Sequence, residues 1–119
     1  MNKNFTIYHN PRCSKSRQAL EILKNKKIDP QIILYLEYKL TKKIIKEILS
    51  KLKLTIRDIL RTGEEDYKKN NLQNEKLTDD QLINYVIKFP KLLERPIVLT
   101  TEKAIIGRPP EKVLDLLTK

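Results

Sequence analysis

Cysteine is nearly absent: Cys13 is the single one in a chain of 119 residues. That excludes an internal disulfide and any metal site built from several thiolates. Histidine is equally scarce, with His9 alone, so one imidazole and one thiol argue against a metal centre. Tryptophan is missing altogether, and no aromatic platform or groove-reading motif points to nucleic acid. No apolar run approaches the roughly 20 residues needed to cross a bilayer. The opening MNKNFTIYHNPRC has no secretory apolar core before a strand-like segment begins. These absences favour a cytoplasmic protein with neither a membrane nor a nucleic acid as partner.

What is abundant is lysine. The formal charge is +10 and the pI about 9.7. The excess is scattered in singles and pairs, such as Lys26-Lys27, Lys42-Lys43 and Lys68-Lys69, with no long basic block. That distribution suits a solvated surface better than a polyanion footprint. Apolar residues recur along the whole length, as a folded chain requires, and 119 residues suit one domain, 1–119.

Phe5–Tyr8 reads as a short strand, and Asn10-Pro11 as a turn. A helix follows from Ser14 to about Lys27, with Ser16, Ala19, Leu20 and Leu23 on one face. Asp29-Pro30 breaks it. Gln31–Leu36, QIILYL, reads as a strand buried on both faces. Strand, helix and strand with short joints form a βαβ unit, so the two strands should be parallel. Thr41–Leu52 is a helix with the stripe Ile44, Ile45, Ile48, Leu49 and Leu52. Thr55 caps a short helix with Asp58 three residues on, and Thr78 with Gln81 opens another that runs to Phe89. Ile97–Thr100 and Ala104–Ile106 suit a β-hairpin, and Pro109-Pro110 begins a last helix. The order is β-α-β, then a helical insert at about 41–90, then β-β-α. This is an α/β fold with a small mixed four-stranded sheet. A monomer is expected, since no apolar stripe is left over.

For the chemistry, Cys13 stands where the first loop meets the first helix. A thiolate there faces unpaired backbone N–H groups and the positive end of the helix dipole, which lowers a thiol pKa. The alternatives are a packed or incidental surface cysteine, but the stretch HNPRCSKSR is polar and basic. The Ser16 hydroxyl could point back to the sulfur, and Arg17 lies one turn on. His9 could raise the local potential or only order the loop. Arg61, four residues after Arg57 on one helical face, and Arg95 and Arg108 each stand at the end of an element. A guanidinium can fork onto two oxygens of a tetrahedral anion.

With those residues in view, the chain resembles the glutaredoxin-coupled arsenate reductase family, ArsC. The resemblance runs from IYHNPRCSKSR through LYLE, RDILR and DDQLI to RPIVLT and IGRPPE. It implies a thioredoxin-like fold with a helical insert. It implies Cys13 as the catalytic nucleophile and Arg61, Arg95 and Arg108 as holders of the oxyanion. His9, Asn10, Ser16 and Arg17 would shape the cysteine loop, and Pro96 would follow a cis bond. It further implies arsenate as substrate, glutathione as co-substrate, glutaredoxin as partner, and no bound cofactor or metal. Arg12 and Lys15 fall where the pattern is loose and are not carried over. Two other readings stay open: a regulator of the Spx type that binds RNA polymerase, and a glutathione-linked thiol oxidoreductase with another substrate. The Spx group commonly carries a Cys-x-x-Cys switch; here Ser16 holds the second position.

Overall fold

The computed structural model describes residues 5–37 and 40–117. The chain divides into two compact units, one made of Met1–Tyr38 with Arg95–Lys119, the other of Lys39–Glu94.

The first unit carries the sheet. Its strands are β1 (Thr6–Tyr8), β2 (Gln31–Ile33), β3 (Ile97–Leu99) and β4 (Ala104–Ile106). They lie in the order β2-β1-β3-β4. β1 and β2 are parallel, joined by helix α1 (Ser14–Asn25) as a βαβ crossover requires, with Ile7 opposite Ile32. β3 runs antiparallel to both β1 and β4, so Ile7 also faces Val98 and the C-terminal hairpin is formed. The core of this unit is built from Phe5, Ile7, Ala19, Leu23, Ile28, Val98, Val113 and Leu116. Burying a side chain such as Leu23 contributes about 1.5–3 kcal/mol. A 3₁₀ helix, Pro110–Leu117, packs against α1 and supplies Val113 and Leu116 to that core.

β2 departs from the expectation. The run QIILYL forms a strand only over Gln31–Ile33, and Ile32 is exposed. β2 is an edge strand, with a neighbour on one side only, so its backbone pairing ends early and its outer residues stay wet. Tyr35, in the turn that follows, is fully buried instead.

α1 closes on a left-handed lysine. Lys27 has φ 62°, its N–H donates to the Lys24 carbonyl at 2.9 Å, and the Ile28 N–H donates to the Leu23 carbonyl at 3.0 Å. This is a Schellman closure, and buried Ile28 supplies its hydrophobic contact.

The second unit contains α2 (Lys42–Leu52), α3 (Glu65–Lys69) and α4 (Asp79–Lys88), with a 3₁₀ turn at Ile56–Ile59. α2 is capped by Thr41, whose side chain accepts from the Ile44 N–H at 3.1 Å. α4 has the full capping box: the Thr78 N–H donates to the Gln81 side chain at 2.8 Å and the Gln81 N–H to the Thr78 hydroxyl at 3.2 Å. Ile45 and Ile48 of α2 and Leu82, Ile83 and Val86 of α4 are buried, and the two helices touch. Arg57 donates to the carbonyls of Leu72 and Asn74 at 2.9 and 2.7 Å, tying the segment after α3 to the 3₁₀ turn.

Gly107 sits where the first unit is tightest. A Cβ there would stand 2.9 Å from Pro96 Cγ and 3.1 Å from Val113 Cγ1. Its N–H donates to the Pro96 carbonyl at 2.8 Å. Gly107→Ala should therefore destabilise the chain by about 1–3 kcal/mol, the usual cost of overpacking. Urea unfolding should show a lower midpoint at unchanged m-value; an unchanged midpoint would mean that the neighbours yield freely.

Candidate active site

The loop after β1 is held almost entirely by its own hydrogen bonds. The His9 N–H still pairs with the Ile33 carbonyl, at 2.9 Å, extending the β1–β2 ladder. The chain then turns. The Asn10 side-chain oxygen accepts from the Arg12 N–H at 3.0 Å. The Asn10 carbonyl accepts from the Cys13 N–H, also at 3.0 Å. The Arg17 guanidinium reaches back and donates to the Pro11 carbonyl at 2.8 Å. Cys13 is thereby fixed as the N-cap of α1, with extended backbone angles (φ −92°, ψ 121°). Its carbonyl receives the first helical bond, from the Arg17 N–H at 3.0 Å.

Cys13 is a free, half-buried thiol. Burial alone would push its pKa up. That is outweighed by the backbone N–H groups of Ser16 and Lys15 and by the Arg95 guanidinium, which favour the charged sulfur, so the thiol lies below its ordinary value. The two N–H groups belong to the first turn of α1 and have no helical partner of their own. Cys13 occupies the N-cap position without a side-chain cap hydrogen bond, so these donors remain available to a negative charge on the sulfur.

Ser16 has a different task from the one its spacing suggests. Its hydroxyl is fully buried, shares a 2.6 Å hydrogen bond with His9 Nδ1, and accepts from the Asn10 N–H at 3.1 Å. The group that Ser16 turns to the sulfur is its backbone N–H. His9 is buried. Burial, with the positive charges of Arg17 and Lys24, holds its imidazole below the usual pKa. A neutral His9 and Ser16 thus form the floor of the loop.

Arg95 and Arg108 belong to the same unit as Cys13. Arg95 stands just before β3, and both Arg95–Pro96 and Arg108–Pro109 are cis. Arg108 follows β4 and donates from Nη1 to the Arg95 carbonyl at 3.2 Å, bracing the segment that carries the Arg95 side chain. Arg95 Nε is buried and has no hydrogen-bond partner among the described residues. An unsatisfied buried donor beside a thiol is a position that a ligand oxygen would fill.

Arg61 lies in the other unit. The sequence pattern puts it on one helix with Arg57, but the 3₁₀ turn ends at Ile59 and Leu60 bridges to Leu93 in extended form. A turn of only four residues is too short to carry both arginines on one face. The Arg61 guanidinium is flanked by Glu64 (Nε to Oε2, 3.3 Å) and Glu94 (Nη1 to Oε1, 3.7 Å). Among the described residues, no group of His, Cys, Asp and Glu is arranged to hold a metal ion, and no helix is long and apolar enough to cross a membrane.

A sequence model of the ArsC family matches residues 8–116. The chain belongs to the ArsC family. It is 46% identical over 112 residues to an arsenate reductase of Haemophilus influenzae, covering 93% of this chain and 97% of that protein. It is 43% identical over 118 residues to an Escherichia coli protein, YfgD, described as uncharacterized, covering 98% of this chain and 99% of that one. Among solved structures, an arsenate reductase from Vibrio cholerae superposes with a TM-score of 0.94 at 44% identity, covering 97% and 98% of the two chains. The fold is the thioredoxin-like fold of the ArsC arsenate reductases.

For this ArsC chain, three features escape the sequence pattern: the carboxylates on Arg61, the brace from Arg108 to the Arg95 carbonyl, and the closeness of Gly107 to Pro96. Glu94 next to Arg95 was visible in the sequence, but nothing there pairs it with Arg61.

The depressed pKa of His9 has a sign that can be measured. An unfolded chain takes up a proton on this residue near pH 6.5, whereas the folded chain does so only at lower pH. Stability is therefore full above about pH 6.5 and falls as pH drops toward the folded value. Urea unfolding from pH 7.5 down to 5 should show this loss in the wild type and a flatter profile in His9→Asn. Equal slopes in the two proteins would mean that His9 titrates normally.

Proposed function

We propose that this chain is an oxidoreductase that reduces arsenate to arsenite through Cys13. The observation that carries the reading is Cys13 at the N-cap of α1, where the Ser16 and Lys15 N–H groups and the Arg95 guanidinium bias the thiol toward thiolate. Relatives at 40–46% identity that bear the name arsenate reductase supply the substrate class.

In the proposed sequence, the oxyanion oxygens are held by Arg95 and Arg108, which belong to the same unit as Cys13. The Cys13 thiolate attacks arsenic, an As–S bond forms, and one oxygen leaves as water after protonation. This is covalent catalysis supported by fixed positive charge. Glutathione then attacks the adduct through its own thiolate. Two electrons pass to arsenic, As(V) becomes As(III), two thiols become a disulfide, and arsenite departs. Because the chain has a single cysteine, the second thiol must come from outside. Glutathione as co-substrate and glutaredoxin as the protein that clears the mixed disulfide fit that requirement.

Arsenite release in the presence of glutathione and glutaredoxin tests the proposal. Cys13→Ser should lower the rate by roughly a thousandfold or more. Arg95→Ala should lower kcat/KM for arsenate by about ten- to a hundredfold, the worth of a hydrogen bond to a charged group. Turnover that survives Cys13→Ser would overturn the nucleophile assignment.

A further inference from the structure

The positive charges around the cysteine loop divide into those with a structural task and those without. Arg17 holds the Pro11 carbonyl, Arg108 holds the Arg95 carbonyl, and Arg95 favours the charged form of the Cys13 thiol. Arg12 and Lys15 are left. Both side chains are exposed. Among the described residues neither is in any of the ion pairs, and neither guanidinium nor ammonium is in a hydrogen bond. Neither charge is among the causes that lower the Cys13 pKa; Lys15 contributes only its backbone N–H. Their backbone is nevertheless fixed. The Arg12 N–H is bound by the Asn10 side chain, and Lys15 lies in the first turn of α1. No carboxylate offsets them nearby in sequence, since the first acidic residue of the chain is Glu21.

Two exposed cations, one before and one after the thiol in sequence and in no ion pair or side-chain hydrogen bond among the described residues, are free to act on whatever approaches the sulfur. We infer that Arg12 and Lys15 form a cationic rim that selects the incoming sulfur compound by charge, favouring a small thiol or disulfide that carries carboxylates over a neutral one. The inference deepens the proposed function, since glutathione is such a thiol, but its chemistry requires no arsenate. An exposed charge of this kind acts mainly on the encounter rate, by steering, and its effect fades as salt screens it.

Thiol–disulfide exchange at Cys13 isolates the effect. The Cys13 thiolate attacks one sulfur of an added disulfide, the S–S bond breaks, a mixed disulfide forms on Cys13 and the other half leaves as a thiolate. Cys13 is oxidised and one half of the reagent is reduced, so the step balances without a further reactant. The probes are dithiobis(nitrobenzoate), with a carboxylate on each ring, oxidised glutathione, and the neutral dithiodipyridine. The chain offers only one thiol, so each rate belongs to Cys13.

With the full chain at low ionic strength, the double variant Arg12→Gln, Lys15→Gln should react about tenfold more slowly with the two carboxylate-bearing disulfides. Its rate with dithiodipyridine should stay within about twofold of wild type, which also shows that the fold and the thiolate are intact. Near 1 M salt the difference should largely vanish. Equal slowing with all three reagents, or no slowing with any, overturns the inference. Charge selection in a chain that releases no arsenite would uphold the rim and remove the arsenate reading. Arsenite release without charge selection would do the reverse.

Discussion

A thiol at the N-cap position of a helix, biased toward thiolate by the helix start and a guanidinium, is the feature on which the rest depends. Burial works against a thiolate at Cys13, and the Ser16 and Lys15 N–H groups together with Arg95 outweigh it. The balance is a matter of geometry. The N–H groups exist because a helix begins at Ser14, and no helix can satisfy its first-turn donors internally. Arg95 is present because β3 lies beside β1 in the sheet. Moving the sulfur by one residue would set it inside the first turn, where the helix start no longer converges on it.

The rest of the sheet unit maintains that geometry. Asn10 folds the loop with its side chain and its carbonyl, and His9 with Ser16 fills the space below it. Keeping His9 neutral removes a charge from a buried position, which is cheaper than pairing it there. On the opposite side, Arg108 braces the Arg95 carbonyl, and Gly107 lets Pro96 come close to the 3₁₀ helix that carries Val113. The Cys13 thiol thus rests on a short list of backbone and side-chain contacts, most of them among neighbours in sequence. Such local contacts form with little loss of loop-closure entropy.

Much of this could be read in the chain itself. The alternation of strand and helix signals, the Asn-Pro turn ahead of Cys13, and the caps at Thr55 and Thr78 are local effects, and local effects are written in short stretches of residues. The parallel pairing of β1 and β2 followed from a right-handed crossover that a single short helix allows. What could not be read is set by distance in sequence. QIILYL has the composition of a central strand, yet its place at the sheet edge depends on where β3 inserts. The four-residue spacing of Arg57 and Arg61 implied a shared helical face, but a 3₁₀ turn and an extended segment send Arg57 to backbone carbonyls and Arg61 to Glu64 and Glu94. Ser16 lies in the first turn of α1 and its hydroxyl is directed by His9, seven residues away.

The most direct test of this picture is a titration of the Cys13 thiolate by its ultraviolet absorbance, which a chain with one cysteine reports without interference from other thiols. The midpoint should lie clearly below the ordinary thiol value of about 8.5, and Arg95→Gln should move it upward. A midpoint at or above ~8.5 in the wild type, or one that ignores the loss of Arg95, would contradict the claim that the helix start and this guanidinium hold the sulfur negative.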